Sequence, residues 1–317
     1  MRRSTTSHSV AITGLGEHRP ARVVPNAALP SALDVADEWI RERTGIESRR
    51  LAGEAETVVT MAADAAGKAL AGAGVGPDQV GLVVLASCTM PTPIPGGAAQ
   101  VAHLLGASAA GALDVNAACA GFCYALGLAA DAVRVGSVRH VVVIGAEKLS
   151  DWVDWTDRRS AILFGDGAAA AVVAPAERDG VGPLVCGSDG GLAHLIDVPL
   201  GGKLRLDGPA VFRWATTRMT DVAREACAAA GVGPEQLAAV VPHQANLRIV
   251  RAIARGLGAT GAAVADDIVD SGNTSAASIP LALCRLTSTG AVRSGDLALL
   301  VGFGAGLTWA GQVIEVP

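Results

Sequence analysis

The chain repeats itself. Ala-Gly-Val-Gly-Pro-Asp-Gln-Val begins at Ala73, and Ala-Gly-Val-Gly-Pro-Glu-Gln-Leu begins at Ala230, 157 positions later. Each copy follows an Ala-rich stretch of helical character (60–71 and 220–230) and precedes a short apolar run (81–85 and 238–241). Ala132-Val133-Arg134-Val135-Gly136 matches Ala291-Val292-Arg293-Ser294-Gly295 at an offset of 159, again just before apolar runs (141–144 and 298–301). Two matches at nearly one offset, close to half of 317 residues, mark a duplicated α/β unit. The period is far longer than the about 20–45 residues of a solenoid repeat. The apolar runs are continuous rather than alternating, so both faces of each strand are covered, as in a mainly parallel sheet flanked by helices. Two such halves bury helices between their sheets. The expected fold is α/β, with two duplicated halves in five layers, α-β-α-β-α, divided at residues 1–165 and 166–317. Functional groups in such sheets gather at strand ends and helix N-termini.

Composition narrows what the duplicated chain can do. Half of its residues are hydrophobic and 17% are charged, which excludes a disordered chain. A net charge of −5 and an aromatic content of 3% supply neither the basic surface nor the stacking platforms of a nucleic-acid binder. No apolar stretch approaches the ~20 residues of a membrane span. Met1-Arg2-Arg3 has the charge of a leader's start, but the apolar run Val10–Gly16 is short and meets Glu17, His18 and Arg19, so it reads as a first strand. A cytoplasmic location is expected. The six cysteines (88, 119, 123, 186, 227 and 284) form no C-x-x-C pair, which fits reduced thiols.

One of those thiols has a chemical setting. In Asp114-Val115-Asn116-Ala117-Ala118-Cys119-Ala120-Gly121-Phe122, small residues surround Cys119 between a strand end and a helix with apolar positions Phe122, Leu126, Ala129 and Val133. A thiol at a helix N-terminus is expected to have a lowered pKa; a buried packing cysteine would carry the same local pattern. His243 and Asn246 stand three apart at another strand–helix junction, where an N-cap and a core histidine are the plainer reading. Asn273, in Ser271-Gly272-Asn273-Thr274-Ser275-Ala276-Ala277-Ser278, is offset by 157 from Asn116. A pseudo-twofold axis would therefore bring Cys119, His243 and Asn273 to one place. The turn Gly302-Phe303-Gly304-Ala305-Gly306-Leu307-Thr308 offers bare backbone N–H groups for an oxyanion.

Taken together these motifs resemble the β-ketoacyl-acyl-carrier-protein synthase III (ketosynthase III) family of the thiolase superfamily. The resemblance rests on Asp37-Glu38-Trp39-Ile40, Arg43-Thr44-Gly45-Ile46, Ala118-Cys119-Ala120-Gly121-Phe122, Phe164-Gly165-Asp166-Gly167-Ala168, His243-Gln244-Ala245-Asn246-Leu247-Arg248, Gly272–Ser278 and Gly302–Gly306. It covers nearly the whole chain and is similar to the Cys-His-Asn branch of the superfamily. It implies a thiolase-like fold and an acyltransferase that takes an acyl group from acyl-CoA onto Cys119, with the N–H groups of Cys119 and Ala305 holding the oxyanion. His243 and Asn273 then stabilise the enolate formed when malonyl-acyl carrier protein loses CO2, and a decarboxylative Claisen condensation starts a fatty acid or polyketide. CoA and phosphopantetheine thioesters are the implied substrates, with no metal or other cofactor. Trp39 and Arg158 match positions that sandwich the CoA adenine, and Asn246 a pantetheine contact. Arg213, Arg248, Arg251 and Arg255 are the expected docking face for an acidic carrier protein. A homodimer is implied, with Ile94 in the Pro91–Pro95 loop bordering the partner's acyl pocket. Ile94 stands where an aromatic is common, and the 188–207 stretch is short, so both bear on the acyl group accepted. The alternative reading is an acyltransferase that moves the acyl group to an alcohol, amine or thiol without condensation. A non-catalytic partner subunit would have no use for an intact Cys119, His243 and Asn273.

Overall fold

The computed structural model describes residues 7–317, so Met1-Arg2-Arg3 lies outside the described residues. The first apolar run is strand β1 (Ser9–His18). It joins β2 (Leu82–Ala86), β3 (Gly111–Val115), β4 (Val141–Lys148) and β5 (Asp166–Ala176) in a five-stranded sheet of order β1-β5-β4-β2-β3. A second five-stranded sheet holds β6 (Val185–Ser188), β7 (Ala239–Pro242), β8 (Ala263–Val264), β9 (Leu297–Gly304) and β10 (Thr308–Glu315) in the order β6-β10-β9-β7-β8. The two orders correspond strand for strand. In each sheet four strands share one direction, and β5 in the first and β10 in the second run antiparallel to both of their neighbours. Register corresponds too. Leu82 pairs with Val141 and Ala239 with Ala298, and both residues of the second pair lie 157 beyond those of the first.

Two expectations change. The sheets are mixed rather than mainly parallel, because a continuous apolar run reports burial of both faces and not strand direction; β5 is antiparallel to β4 and buried through Ala174. The division between halves also moves. Asp166 begins β5, a strand of the first sheet, so that sheet extends past the expected boundary at 165/166. The repeats define the spacing of the halves but not the residue at which one sheet stops.

Helices α2 (Val58–Ala73) and α3 (Gly97–Leu105) cover the outside of the first sheet. Helices α5 (Gly208–Ala230) and α6 (Leu247–Leu257) cover the outside of the second. Between the sheets lie α4 (Gly121–Arg134) and α7 (Ser278–Ser288), completing the five layers. The repeated Ala-Gly-Val-Gly-Pro is a helix stop: Gly74 and Gly231 take left-handed φ values of 64° and 67° at the ends of α2 and α5, a conformation glycine adopts without a Cβ clash. Helix α5 starts earlier than the repeat suggests, because Asp207 caps it by accepting the Ala210 N–H and Pro209 occupies its first turn. In the central layer Phe122, Leu126, Ala129 and Val133 are fully buried against Val84, Val143, Ile279 and Leu300. The alanines of that layer let helix and sheet backbones approach closely.

Candidate active site

Two turns meet at the middle of the molecule, one entering α4 and one entering α7. In the first, Asn116 Oδ1 accepts the Ala118 N–H at 3.2 Å, Ala118 takes φ +44°, and Cys119 stands in a single 3-10 turn (Ala118–Ala120) that runs into α4. In the second, Asn273 Oδ1 accepts the Ser275 N–H at 2.9 Å, Ser275 takes φ +50°, and Ser275–Ala277 forms the 3-10 turn that runs into α7. A left-handed residue other than glycine costs about 1–3 kcal/mol, and both copies retain it at the same place.

Cys119, His243 and Asn273 line one cavity of about 1220 Å³. Each reaches it from a different element. His243 follows β7 and is 1% exposed, with Nδ1 2.7 Å from Ser278 Oγ and the Phe303 ring in a T-shaped arrangement with it, 5.2 Å between centroids. Burial without a charged partner pushes its pKa down to about 3, so the imidazole is neutral. Asn273 is anchored by its backbone to Leu163 and Gly165, and its Oδ1 is committed to Ser275, so its amide Nδ2 is the end left for a ligand. Cys119 is partly exposed to the cavity, but burial pushes its thiol up to about 12, with the Glu147 carboxylate adding to the rise and Ser275 opposing it. This reverses the lowering expected at a helix N-terminus, since desolvation outweighs a helix end reached through one short turn.

The two N–H groups expected to hold an oxyanion belong to residues on the cavity wall. Ala305 lies on the cavity wall in the turn after β9, and neither its N–H nor that of Cys119 has a carbonyl partner among the turn and loop hydrogen bonds of the described residues. Gly304 keeps that space open: a Cβ there would stand 2.6 Å from the Cys119 nitrogen.

Beneath the turns lies a group that the sequence reading missed. Glu147, fully buried at the end of β4, accepts from Ser87 Oγ (3.1 Å), the Cys88 N–H (3.1 Å), Thr89 Oγ1 (2.5 Å), Ser275 Oγ (3.0 Å) and the Ala276 N–H (3.4 Å). Burial raises its pKa while these donors oppose the rise. The signal for it existed, because Glu147 precedes Gly304 by the repeat offset of 157. Ser275 and Ser278 were inside a motif already singled out, and a glance at that motif's hydroxyls would have found them.

At the cavity mouth Trp39 is flanked by guanidinium groups, that of Arg43 at 4.2 Å and that of Arg158 at 5.9 Å from the ring. Arg43 is a second cation the sequence reading did not single out. Asn246 also lines the cavity, but it caps α6 by accepting the Arg248 N–H at 2.9 Å and donates to the Arg43 carbonyl at 2.9 Å. Arg213 and Arg248 border the mouth, the latter 4.9 Å above the Phe212 ring. Arg251 and Arg255 continue along the exposed face of α6, and none of the four arginines forms an ion pair among the described residues. Ile196, Val198, Leu204 and Leu206 place the 188–207 stretch on the cavity wall. Ile94 is not on that wall; it is 85% exposed.

This geometry can be set beside known proteins. A family model for 3-oxoacyl-[acyl-carrier-protein (ACP)] synthase III matches residues 113–190, and one for the C-terminal part of the same synthase matches residues 227–316. Over 310 residues the chain is 50% identical to beta-ketoacyl-[acyl-carrier-protein] synthase III 4 of Streptomyces coelicolor, covering 96% of this chain and 98% of that relative. The chain belongs to the synthase III family. Among solved synthase III structures, the priming beta-ketosynthase of the R1128 polyketide pathway superimposes with a TM-score of 0.97 at 44% identity, covering 100% of this chain and 98% of that one. The 3-oxoacyl-[acyl-carrier-protein] synthase III of Aquifex aeolicus superimposes with a TM-score of 0.93 at 41% identity, covering 97% and 100%. A synthase III is a condensing acyltransferase on the thiolase-like fold, acting at the start of fatty acid or polyketide synthesis, and the duplicated five-layer architecture is that fold.

Proposed function

We propose that this synthase III loads an acyl group from acyl-CoA onto Cys119 and condenses it with malonyl-acyl carrier protein. Cys119 Sγ attacks the thioester carbonyl, the carbon–sulfur bond to CoA breaks, and the thiol proton leaves with the CoA sulfur. The N–H groups of Cys119 and Ala305 hold the oxyanion of the tetrahedral intermediate. Malonyl-acyl carrier protein then enters. As CO2 departs, its bonding electron pair passes into the thioester, and the enolate oxygen takes hydrogen bonds from His243 Nε2 and Asn273 Nδ2. The enolate carbon attacks the acyl carbonyl, the bond to Cys119 breaks, and a β-ketoacyl thioester leaves. Every step moves an electron pair or a proton without oxidation, so the chemistry calls for no resident metal or cofactor.

The observation that carries this reading is the commitment of two atoms. Asn273 Oδ1 is held by Ser275 and His243 Nδ1 faces Ser278, which leaves Nδ2 and Nε2 for a ligand in the cavity that holds the thiol.

The mouth fits the two carriers. Trp39 with Arg158 suits a CoA adenine, since a planar guanidinium and an indole both stack; Asn246 lies along the pantetheine route. Arg213, Arg248, Arg251 and Arg255 make an unpaired basic face for an acidic carrier protein on a chain of net charge −5. A second copy of the chain is the partner we propose for the open edge strand β3, where Leu113 is 41% exposed and from which the Cys119 turn directly continues. Ile94, on a loop beyond the cavity, then reaches the partner's acyl pocket. None of the described helices is long and apolar enough to cross a membrane, and thioester substrates of this kind suit a cytoplasmic enzyme.

The test combines intact-protein mass spectrometry across a panel of acyl-CoAs with trapping of CO2 from malonyl-acyl carrier protein. An acyl mass on Cys119 together with CO2 and a β-ketoacyl product is expected. Acylation without CO2 release would replace this reading with acyl transfer to an alcohol, amine or thiol.

A further inference from the structure

Ser278 is the first residue of α7 and is 1% exposed. Its Oγ lies 2.7 Å from His243 Nδ1 and receives the Gln244 N–H at 3.3 Å. A serine hydroxyl has one proton and two lone pairs. The Gln244 N–H uses one lone pair, and among the described residues the only other side-chain or backbone polar partner of this hydroxyl is Nδ1. Two arrangements remain. In one, the hydroxyl donates to a bare Nδ1. In the other, Nδ1–H donates to Ser278 and the serine proton has no acceptor in a buried site, which costs about 1–3 kcal/mol. A doubly protonated ring is disfavoured, because the imidazole is 1% exposed and no carboxylate touches it among the described residues. The first arrangement alone uses every group. It puts the ring proton on Nε2, the nitrogen that keeps contact with the cavity.

We propose that Ser278 is a positioning residue: its hydroxyl donates to His243 Nδ1 and so holds the imidazole in the Nε2–H tautomer, a donor toward the reacting thioester. The proposal rests on His243 acting as a donor and adds the residue that decides which nitrogen carries the proton. Without it the two tautomers compete, and the Nδ1–H form turns a lone pair toward the enolate oxygen, which repels it.

The test has a readout separate from turnover. Full-length protein labelled with 15N-histidine is examined by two-bond 15N–1H correlation, with His243 assigned by the signal lost in His243→Gln. The unaltered protein is expected to show the proton on Nε2. Ser278→Ala is expected to shift the signal toward Nδ1–H and to slow CO2 release from malonyl-acyl carrier protein about a hundredfold in kcat, with acylation of Cys119 retained and KM little changed. Ser278→Thr, which keeps the hydroxyl, should restore both. A proton on Nδ1 in the unaltered protein overturns the proposal, even should Ser278→Ala fail to fold. So does an unchanged tautomer and rate in a folded Ser278→Ala. An Nε2–H ring in a protein that releases no CO2 would support the tautomer assignment and strike the condensing chemistry instead.

Discussion

The turn before α4 and the turn before α7 are one piece of backbone used twice, and only one of them carries a thiol. Both hold an asparagine whose Oδ1 receives the N–H two residues on, and both place a non-glycine residue at positive φ. Stepping by 157, Cys119 corresponds to Ala276, His243 to Ala86 and Gly304 to Glu147. At the first turn a glycine leaves the Cys119 amide open to a ligand. At the second, the Glu147 carboxyl group accepts the Ala276 amide and fills the same space. Doubling therefore supplied two cradles of one shape. One stays open to the cavity, and the other is plugged by the protein's own carboxyl group. Asn273, from the plugged turn, still lines the open cavity because the turns touch.

Substitutions that make one turn resemble the other test this contrast. The largest effect is expected from Cys119→Ala, which installs the residue of the second turn: no acyl mass shift should appear with any acyl-CoA, while Cys88→Ala should retain it. A surviving acyl mass in the former would point to another nucleophile. Gly304→Ala comes next. Its methyl would crowd the Cys119 nitrogen at 2.6 Å, and acylation should slow by about 10²–10³-fold, the usual loss when one oxyanion donor is removed; single-turnover acylation measures it, and an unchanged rate would remove that amide from the oxyanion site. The paired asparagines should then diverge. Asn273→Ala is expected to cut CO2 release about a hundredfold while acylation changes little, and Asn116→Ala to change either step by less than about threefold, with stability falling by about 1 kcal/mol through the lost hydrogen bond to the Ala118 N–H. Equal losses in the two variants would mean that the turns do not differ in function.

Two smaller effects concern buried titratable groups. Glu147→Gln keeps the shape but sets an NH2 against donors, and should cost about 1–3 kcal/mol in urea unfolding. The depressed pKa of His243 works through the unfolded chain. Above the ordinary histidine pKa its contribution is fully present, and it is lost as pH falls toward about 3, because the unfolded ring takes up a proton that the folded ring refuses. Between pH 7 and pH 5 the stability advantage of the unaltered protein over His243→Gln should shrink by about 2 kcal/mol. Over the same range the rate of CO2 release should show no inflection from this imidazole.

Much of this was legible in the residues. The Ala-Gly-Val-Gly-Pro repeats announced the doubling because a helix stop needs a left-handed glycine, and the continuous apolar runs announced covered sheets. Cys119 and His243 were readable because each stands between a strand and a helix, and Asn273 because the repeat offset pairs it with Asn116. Strand direction was not, since burial looks alike in parallel and antiparallel strands, and β5 therefore fell on the wrong side of the expected boundary. The sign of the Cys119 shift was not readable either: a helix end is local, whereas the burial that raises the thiol and the Glu147 charge that adds to the rise come from residues far along the chain. The setting of Glu147 was not readable, because its donors come from Ser87, Cys88, Thr89, Ser275 and Ala276, on segments far apart in the chain.

The construction of the site from both copies also governs when reactivity can arise. The part of a nascent chain that carries Cys119 leaves the ribosome before the segments bearing His243, Asn273 and Ala305 exist as folded structure. During that interval the thiol has neither the Ala305 N–H nor the imidazole that share its cavity in the finished fold.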